Sequence, residues 1–252
     1  MFDLKGRVAI VTGGNGGIGL GMARGLAAAG ARVVVAARNA DKSKAAVADL
    51  AVRGGEAYAI ETDVADERSV ARLIDTTRQR SGRLDILVNN AGINIRKPVQ
   101  DLALDEWRQV LDTNLTSAFL CCKAAYPAFK AAGGGKVINI GSMMSLFGAS
   151  FAPAYGSSKG GIVQLTKSMA VAWARDNIQV NAVLPGWIDT ELTQNARREV
   201  TGLHDSVLRR TPAGRWGGID DMAGVAVFLA SAASDFVTGT AIPVDGGYSI
   251  QG

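Results

Sequence analysis

Short, nearly continuous apolar runs alternate with longer stretches of helical character from one end of the chain to the other. Apolar runs of this kind are typical of strands that are buried on both faces. The helical stretches between them are roughly ten or more residues long, and one is expected over 41–53. The pattern predicts seven strands, at 7–12, 32–37, 56–61, 86–89, 136–140, 178–184 and 241–244.

Strands that alternate with helices predict a parallel sheet with helices on both faces and right-handed crossovers. We therefore expect an α/β fold, a doubly wound seven-stranded parallel sheet, in a single domain over 1–252. Ligands of such sheets bind beyond the carboxyl ends of the strands. Glycine or polar residues follow those ends here, at Gly13 to Gly19, Arg38, Asp63, Asn89 to Gly92, Ser142 and Pro185–Gly186. The least regular segment is about 189–216, within a predicted substrate loop at about 187–216.

Composition agrees with one packed domain, because 48% of the residues are hydrophobic and the 31 glycines are scattered through apolar stretches. The net charge of +4 comes from dispersed Lys and Arg without a basic run among aromatic residues, so nucleic acid is not an expected partner. No stretch approaches the ~20 apolar residues of a membrane span, and the first residues lack an apolar targeting segment. We expect no membrane partner.

The two cysteines and the single histidine bear on whether the protein has a disulfide, a metal site or a nucleophilic triad. Cys121 and Cys122 are adjacent and cannot form an ordinary disulfide with each other, so we expect them to pack in the core of a cytoplasmic protein. His204 is the only histidine, which leaves little for a metal site or a His-based nucleophilic triad. No metal is predicted, and His204 is either incidental or part of a substrate lid.

A glycine-rich turn follows the first predicted strand. Gly14, Gly16 and Gly19 match the G-x-G-x-x-G fingerprint of Rossmann folds, between a strand and a helix as the fingerprint requires. Glycine there lets the backbone approach a pyrophosphate, toward which the next helix directs its N-terminal amides. The sequence predicts a dinucleotide site at this turn, although a turn needed only for tight packing is an alternative.

The end of the second strand predicts which dinucleotide is preferred. NAD-binding proteins usually have an acidic residue there that binds the ribose 2′-hydroxyl. Residues 36–39 are instead Ala-Ala-Arg-Asn, with no carboxylate. The planar guanidinium of Arg38 suits a 2′-phosphate, so we expect NADP(H) to be favoured over NAD(H). The alternative is that Arg38 is a solvated residue that opens the following helix.

A tyrosine and a lysine lie four positions apart in the segment Tyr155-Gly-Ser-Ser-Lys159. In a helix both would project from one face, where the ammonium favours the phenolate. A phenol with an ordinary pKa near ~10 is a poor base at neutral pH, and a cation that lowers that pKa makes it usable in proton transfer. Such pairs are also frequent on surface helices. Ser142, at the end of the fifth predicted strand, could equally be a turn residue.

Taken together, these motifs resemble the short-chain dehydrogenase/reductase family over essentially the whole chain. In sequence order they are Thr12-Gly-x-x-x-Gly17-x-Gly19, Asn89-Asn90-Ala91-Gly92, Asn114, Ser142, Tyr155-x-x-x-Lys159 and Pro185-Gly186. The resemblance implies an oxidoreductase in which Tyr155 is the general acid/base and Lys159 lowers its pKa and binds the nicotinamide ribose. It further implies that Ser142 fixes the substrate oxygen and that Asn114 anchors a water to the lysine.

The resemblance also implies a wider set of cofactor contacts. Asp63 and Val64 are expected at the adenine, and Ile188 and Thr190 at the nicotinamide carboxamide. The full predicted cofactor set is Gly13, Asn15, Gly17, Ile18, Gly19, Arg38, Asn39, Asp63, Val64, Asn90, Ala91, Gly92, Tyr155, Lys159, Pro185, Gly186, Ile188 and Thr190.

Substrate choice is expected to lie in the loops 93–97, 143–150 and 187–210. The segment 91–98 and Gly214-Arg-Trp-Gly217 look like family members that act on sugar acids, such as gluconate 5-dehydrogenases and 2-deoxygluconate 3-dehydrogenases. Arg96 would then bind a carboxylate, or it is a surface or interface residue. An apolar wall would be formed by Met143, Met144, Phe147 and Trp187. A hydrophobic ketone therefore stays an alternative substrate. The predicted substrate contacts are Asn94, Arg96, Ser142, Met144, Tyr155 and Trp187.

Two other functions stay open at this point. One is a 3-oxoacyl thioester reductase or broad carbonyl reductase with the same chemistry. The other is a non-catalytic nucleotide-binding protein, whose mark would be loss of Ser142, Tyr155 or Lys159, and all three are present. The resemblance further implies a homotetramer, with the helix of Tyr155 and Lys159 and the C-terminal strand region at interfaces.

Overall fold

A computed structural model describes residues 1–251. It contains one seven-stranded parallel sheet in the order β3-β2-β1-β4-β5-β6-β7. The strands are β1 (Val8–Thr12), β2 (Arg32–Ala37), β3 (Ala57–Glu61), β4 (Ile86–Asn89), β5 (Gly135–Ile140), β6 (Ile178–Pro185) and β7 (Ala241–Val244). All seven predicted strands are present, with bounds within one residue of the prediction, and the doubly wound α/β fold is confirmed.

Nine α-helices are present in the described residues. They are α1 (Gly17–Ala28), α2 (Ala40–Val52), α3 (Glu67–Ser81), α4 (Leu104–Leu111), α5 (Ser117–Ala132), α6 (Pro153–Trp173), α7 (Glu191–Glu199), α8 (Leu203–Arg210) and α9 (Ala223–Ala230). A π-helical turn, Asp112–Thr116, joins α4 to α5. The prediction that 189–216 is the least regular segment was wrong, because α7 and α8 occupy most of it. Thr190 caps the start of α7, and Gly202 precedes α8 with a left-handed φ of 73°.

The core lies on both faces of the sheet because successive strand residues point to opposite sides. On one face Val11, Val33 and Val88 pack with residues of α1 and α9. On the other face Ile10 and Leu87 pack with residues of α3, α5 and α6, including the two buried free thiols Cys121 and Cys122. The central strands β1, β4 and β6 are buried along their whole length.

The order of the strands fixes where a ligand can bind. From β1 the chain builds outward through β2 and β3, then returns to place β4 against the other side of β1. The crossovers diverge at this point and leave a crevice at the carboxyl ends of β1 and β4. The glycine turn after β1 and the segment Asn89–Gly92 after β4 both lie there.

Candidate active site

A cavity of about 770 Å³ opens at the carboxyl edge of the sheet. Its walls come from the glycine turn, the segments after β4, β5 and β6, and helices α6 and α7. Most of the predicted site residues line it: Gly13, Asn15, Gly17, Ile18, Asn90, Ala91, Gly92, Asn94, Arg96, Ser142, Met144, Tyr155, Lys159, Pro185, Gly186, Trp187, Ile188 and Thr190. Predicted residues from five separate segments of the chain are therefore brought to one place.

The remaining predicted residues lie along the same sheet edge or behind the wall. Arg38 and Asn39 follow β2 and are exposed, and the Asn39 side chain caps α2 by accepting from the Lys42 amide at 2.8 Å. Asp63, which is exposed, and the buried Val64 follow β3. Gly19 and Asn114 lie behind residues that line the cavity, in contact with Asn90 and Ile93 respectively.

The glycine turn requires glycine at several positions for different reasons. Gly13 and Gly17 have left-handed φ angles of 63° and 51°, which side chains disfavour. Gly19 has an ordinary φ, but a Cβ there would lie 2.4 Å from both the Asn90 Nδ2 and the Gly13 carbonyl oxygen. Around Gly16, by contrast, a Cβ would meet nothing within 4 Å. Gly16, Gly17 and Ile18 at the start of α1 line the cavity, and the N-terminal amides of a helix suit a pyrophosphate.

Two polar side chains, one buried (Thr12) and one half-buried (Asn90), hold this turn against β4. The Asn90 side chain donates to the carbonyls of Thr12 and Gly13, at 3.0 and 3.1 Å. The Thr12 hydroxyl accepts from the amides of Asn90 and Ala91, at 3.0 and 3.1 Å, and donates to Val88. Thr12 was quoted in the family motif without a role. Its place as the last residue of a buried strand is the signal that could have indicated one.

Tyr155 and Lys159 lie on one face of α6, as predicted. Helix α6 begins with Pro153 at its first position, where a proline is well tolerated. The Lys159 amine lies 5.6 Å from the centroid of the Tyr155 ring and donates to the carbonyl of Ile140 at 2.7 Å. Lys159 is only 4% exposed, and burial lowers the pKa of its amine from 10.5 to about 8.

The expectation that Lys159 lowers the pKa of Tyr155 is not met in this structure. Burial raises the pKa of the Tyr155 hydroxyl above its ordinary value, and the Ser142 hydroxyl and the charge of Arg96 only partly oppose it. Removal from water disfavours a phenolate, and the lysine amine is directed to a backbone carbonyl instead. The phenol is therefore protonated at neutral pH, which is the form that can donate a proton.

Ser142 follows β5, and its side chain is held in a compact turn. Its hydroxyl oxygen accepts from the Met144 amide at 3.2 Å, which leaves the hydroxyl hydrogen free for another acceptor. The Ser145 hydroxyl accepts from the Ser142 amide at 3.2 Å and donates to the Lys159 carbonyl at 2.7 Å. Ser145 thus joins the turn of Ser142 to the helix of Lys159, a contact that sequence reasoning missed.

Asn114 lies in the π-helical turn and is 2% exposed, so it is not a solvated surface residue. Its amide exchanges two hydrogen bonds with the backbone of Ile93, at 2.8 and 2.9 Å, and donates to Ser158 at 3.1 Å. Ser158 in turn donates to the Tyr155 carbonyl at 2.7 Å. A Cβ at Gly92 would lie 3.2 Å from Asn114 Oδ1 and 3.7 Å from Lys159 Nζ. The amide and the amine therefore flank the same glycine.

Arg96 enters the cavity from the loop after β4 and is 13% exposed. Its guanidinium donates to the Glu199 carboxylate at 2.8 Å and to the Leu192 carbonyl at 2.9 Å, both on α7. The neighbouring Asn94 has a side-chain oxygen that is buried and lacks a hydrogen-bond donor within residues 1–251. A cation and a free acceptor therefore occur side by side in the predicted substrate loop.

The predicted apolar wall is present in part. Met143, Met144 and Trp187 line the cavity, whereas Phe147 does not and instead packs against the guanidinium of Arg210. Trp187 also contacts the edge of the Trp216 ring, with centroids 5.6 Å apart. His204 accepts a hydrogen bond from the Trp216 indole at 3.1 Å, with the two rings within 8° of parallel, and it does not line the cavity.

Within residues 1–251, no group of three or more His, Cys, Asp or Glu side chains is placed to bind a metal ion. Among the same residues, none of the helices combines the length and the apolar character that crossing a membrane requires. Both cysteine thiols are buried, and burial raises the pKa of each.

The chain is similar to known proteins over almost its whole length. A family model described as enoyl-(acyl carrier protein) reductase (adh_short_C2) matches residues 13–249. The 2-dehydro-3-deoxy-D-gluconate 5-dehydrogenase of Formosa agariphila is 41% identical over 248 residues, which are 98% of this chain and 94% of that protein. Gluconate 5-dehydrogenase of Gluconobacter oxydans is 38% identical over 253 residues, which are 100% and 98% of the two chains.

A solved structure of a gluconate 5-dehydrogenase from Burkholderia cenocepacia, in complex with NADP and tartrate, has a TM-score of 0.93 to this chain. The two are 42% identical, and the match covers 99% of this chain and 97% of that one.

Proposed function

This chain belongs to the short-chain dehydrogenase/reductase family, as its motifs predicted, and on that premise we propose that it interconverts a sugar acid and its keto form with NADP(H). The observation that most supports this proposal is that one cavity is lined by Ser142, Tyr155 and Lys159 and also by the guanidinium of Arg96. A nicotinamide, when bound, supplies or accepts the hydride. The residues of this chain bind and orient the substrate and move the proton.

In the reducing direction a negative charge develops on the carbonyl oxygen, and the site needs hydrogen-bond donors directed at it. The Tyr155 hydroxyl, protonated at neutral pH, delivers the proton. The Ser142 hydroxyl donates a second hydrogen bond, since its own oxygen already accepts from Met144. Lys159 stabilises the developing charge while its amine is protonated, below pH about 8. Asn114 holds the Ile93 backbone and the Ser158 hydroxyl, and Ser158 in turn holds the Tyr155 carbonyl, so Asn114 positions the helix segment that carries Tyr155.

NADP(H) is the proposed cofactor because of the residues at the end of β2. Arg38 is exposed there, and none of the residues 36–39 carries a carboxylate that would repel a 2′-phosphate. The Arg38→Asp variant should therefore lower the ratio of kcat/KM for NADPH to that for NADH by roughly 10- to 100-fold, the value of one or two charge-assisted hydrogen bonds. An unchanged ratio, or an unmodified enzyme that favours NADH, would contradict the proposal.

A sugar acid is the proposed substrate because Arg96 and Asn94 have side chains that can bind its carboxylate and a hydroxyl group. The guanidinium suits a carboxylate, and the unpartnered Asn94 oxygen can accept from a substrate hydroxyl. The names of the relatives, which include 5-keto-D-gluconate 5-reductase, support the same class. We expect oxidation of NADPH, followed by absorbance, with 5-keto-D-gluconate. The Arg96→Ala variant should raise KM for this acid far more than KM for a neutral ketone.

A 3-oxoacyl thioester reductase is the second candidate, and the apolar side chains in the cavity favour it. Met143, Met144, Phe151 and Trp187 could contact an acyl chain. The two functions are separated by comparing turnover of 5-keto-D-gluconate with that of an acetoacetyl thioester. Faster reduction of the thioester, with no effect of Arg96→Ala on its KM, would select the second candidate.

We also propose that the protein assembles as a homotetramer. Large apolar side chains are exposed on α5 and α6, at Phe119 and Val171, and near the C-terminal strand, at Phe236 and Ile250. Exposed apolar groups of this kind are typical of association surfaces, and two-fold interfaces of a tetramer would cover them. Light scattering should give four times the chain mass of 26.2 kDa. The mass of a monomer would contradict the proposal.

A further inference from the structure

Helix α7 covers part of the cavity and is fastened to the rest of the protein by an ion pair at each end. At its start, Glu191 pairs with Lys42 of α2 at 2.8 Å. At its last residue, Glu199 pairs with Arg96 at 2.8 Å. The two pairs differ in burial, because the Lys42 side chain is 57% exposed and the Arg96 side chain 13%. Only the second pair is therefore largely withdrawn from solvent on its cationic side.

The partner of Arg96 is itself a carboxylate on a flexible side chain. Arg96 lines the cavity, and its positive charge acts to lower the pKa of the Tyr155 hydroxyl. Glu199 is 53% exposed and makes no other side-chain hydrogen bond or ion pair within residues 1–251. A carboxylate in the last turn of a helix is disfavoured by the helix dipole. The helix itself thus gives no reason for an acidic residue at this position, whereas the pairing with Arg96 does.

We propose that Glu199 is an internal competitor for the substrate carboxylate, which occupies Arg96 in the free enzyme and is displaced when an acidic substrate binds. The inference rests on the proposed function, in which Arg96 binds that carboxylate. Displacement exchanges one carboxylate for another at the same guanidinium and needs no covalent step. A neutral ketone has no group that replaces Glu199, so it binds with the internal pair intact. Glu199 therefore determines how strongly the enzyme distinguishes acidic from neutral substrates.

The Glu199→Gln variant tests the competition directly. Because the competing charge is removed, KM for 5-keto-D-gluconate should fall by roughly three- to fivefold, the range of a partly exposed ion pair. KM for a neutral ketone should stay within about twofold, so that the ratio of the two KM values moves. The control is Glu191→Gln, which removes the other ion pair of the same helix and should leave that ratio unchanged. In an Arg96→Ala background, Glu199→Gln should no longer lower KM for the acid.

Two results would overturn the inference. If Glu199→Gln raises KM for the acid, then Glu199 orients Arg96 for the substrate and does not compete with it. If KM for the acid and the ketone change by the same factor, then Glu199 only holds α7 in place.

Failure of the proposed function would be visible separately, as an unmodified enzyme that reduces neutral ketones and no sugar acid. In that case, inhibition of the unmodified enzyme and of Glu199→Gln by tartrate still tests whether Glu199 competes with a bound carboxylate. Tighter inhibition of the variant supports the competition, and equal inhibition overturns it.

Discussion

The nucleotide wall of the cavity (residues 12–19 and 89–92) and its substrate wall (residues 93–97 and 187–216) are held together in different ways. The nucleotide wall is fixed by backbone geometry and by the hydrogen bonds that the buried Thr12 and the half-buried Asn90 make. The substrate wall is held by ion pairs between side chains. Arg96–Glu199 and Lys42–Glu191 join distant segments, and Arg197–Asp189 joins α7 to the residues just before it. A buried hydrogen bond is costly to break, whereas a solvent-exposed ion pair is easily exchanged.

This difference matters for function. A wall that binds the same dinucleotide in every turnover gains from rigidity, because preorganised donors need no rearrangement when the ligand arrives. A wall that must admit and release substrate gains from contacts that a ligand can replace. The comparison predicts that substitutions in the nucleotide wall destabilise the fold, whereas those in the substrate wall change selectivity and leave stability almost unaltered.

The largest effect is expected for Gly19→Ala. The added methyl group would lie 2.4 Å from the Gly13 carbonyl oxygen, so the backbone of the turn must shift. We expect a loss of stability of about 3 kcal/mol, as for severe overpacking, together with loss of NADPH binding. The matched control is Gly16→Ala, where the methyl group meets nothing within 4 Å and the backbone is extended. Urea unfolding measures the stability of both variants. Equal stabilities would contradict the claim that the nucleotide wall is fixed by its backbone geometry.

A slightly smaller effect is expected for Thr12→Val, which keeps the shape of the side chain and removes its hydroxyl. The amides of Asn90 and Ala91 would then lose their acceptor. Because Thr12 is 2% exposed, water does not readily replace it, and stability should fall by about 2–3 kcal/mol. Chemical denaturation measures this loss. A change below measurement error would mean that these hydrogen bonds do not hold the turn.

Lys159 lies between the two walls and gives a pH-dependent test. Its pKa is about 8 in the folded chain and near 10.5 unfolded, so the unfolded state binds more protons between these values and stability rises with pH. From pH 8 to pH 10 the free energy of unfolding of the unmodified protein should rise by about 2 kcal/mol relative to that of Lys159→Met. Unfolding curves without nucleotide at both pH values measure the difference. Parallel pH dependence of the two proteins would show that the amine is not desolvated.

The smallest effect is expected for Lys42→Met, which removes the ion pair between α2 and Glu191 of the substrate wall. The ion pair that it removes is exposed on both sides, with side chains 57% and 78% accessible. The melting temperature should therefore change by no more than about 1 °C. A large loss of stability here, comparable with that of Thr12→Val, would contradict the division into a rigid and an exchangeable wall.

The same division explains what the sequence could predict. The strands, the glycine turn and the pair Tyr155 and Lys159 follow local rules: apolar runs, left-handed φ positions and helical spacing. The Arg96–Glu199 pair joins residues 103 positions apart and has no local pattern. Helices α7 and α8 are only nine and eight residues long and contain few apolar residues, so each offers too short an apolar pattern to predict a helix from the sequence.

The electrostatics of Tyr155 could not be predicted either. Helical spacing places the lysine amine near the phenol, but the direction in which that amine points depends on the Ile140 carbonyl, which lies on another element. The supporting roles of Ser145 and Ser158 likewise depend on contacts between elements. Serines at such positions carry no signal in a single sequence, because a turn or helix serine is ordinary.

The most direct test of the account is the Tyr155→Phe variant, assayed for reduction of 5-keto-D-gluconate at pH 7 with NADPH. Because the variant lacks the hydroxyl that delivers the proton, kcat should fall by at least about 100-fold. Binding of NADPH, followed by fluorescence titration, should stay within about threefold, because the glycine turn and Arg38 are unchanged. Turnover within twofold of the unmodified enzyme would contradict the assignment of Tyr155 as the proton donor.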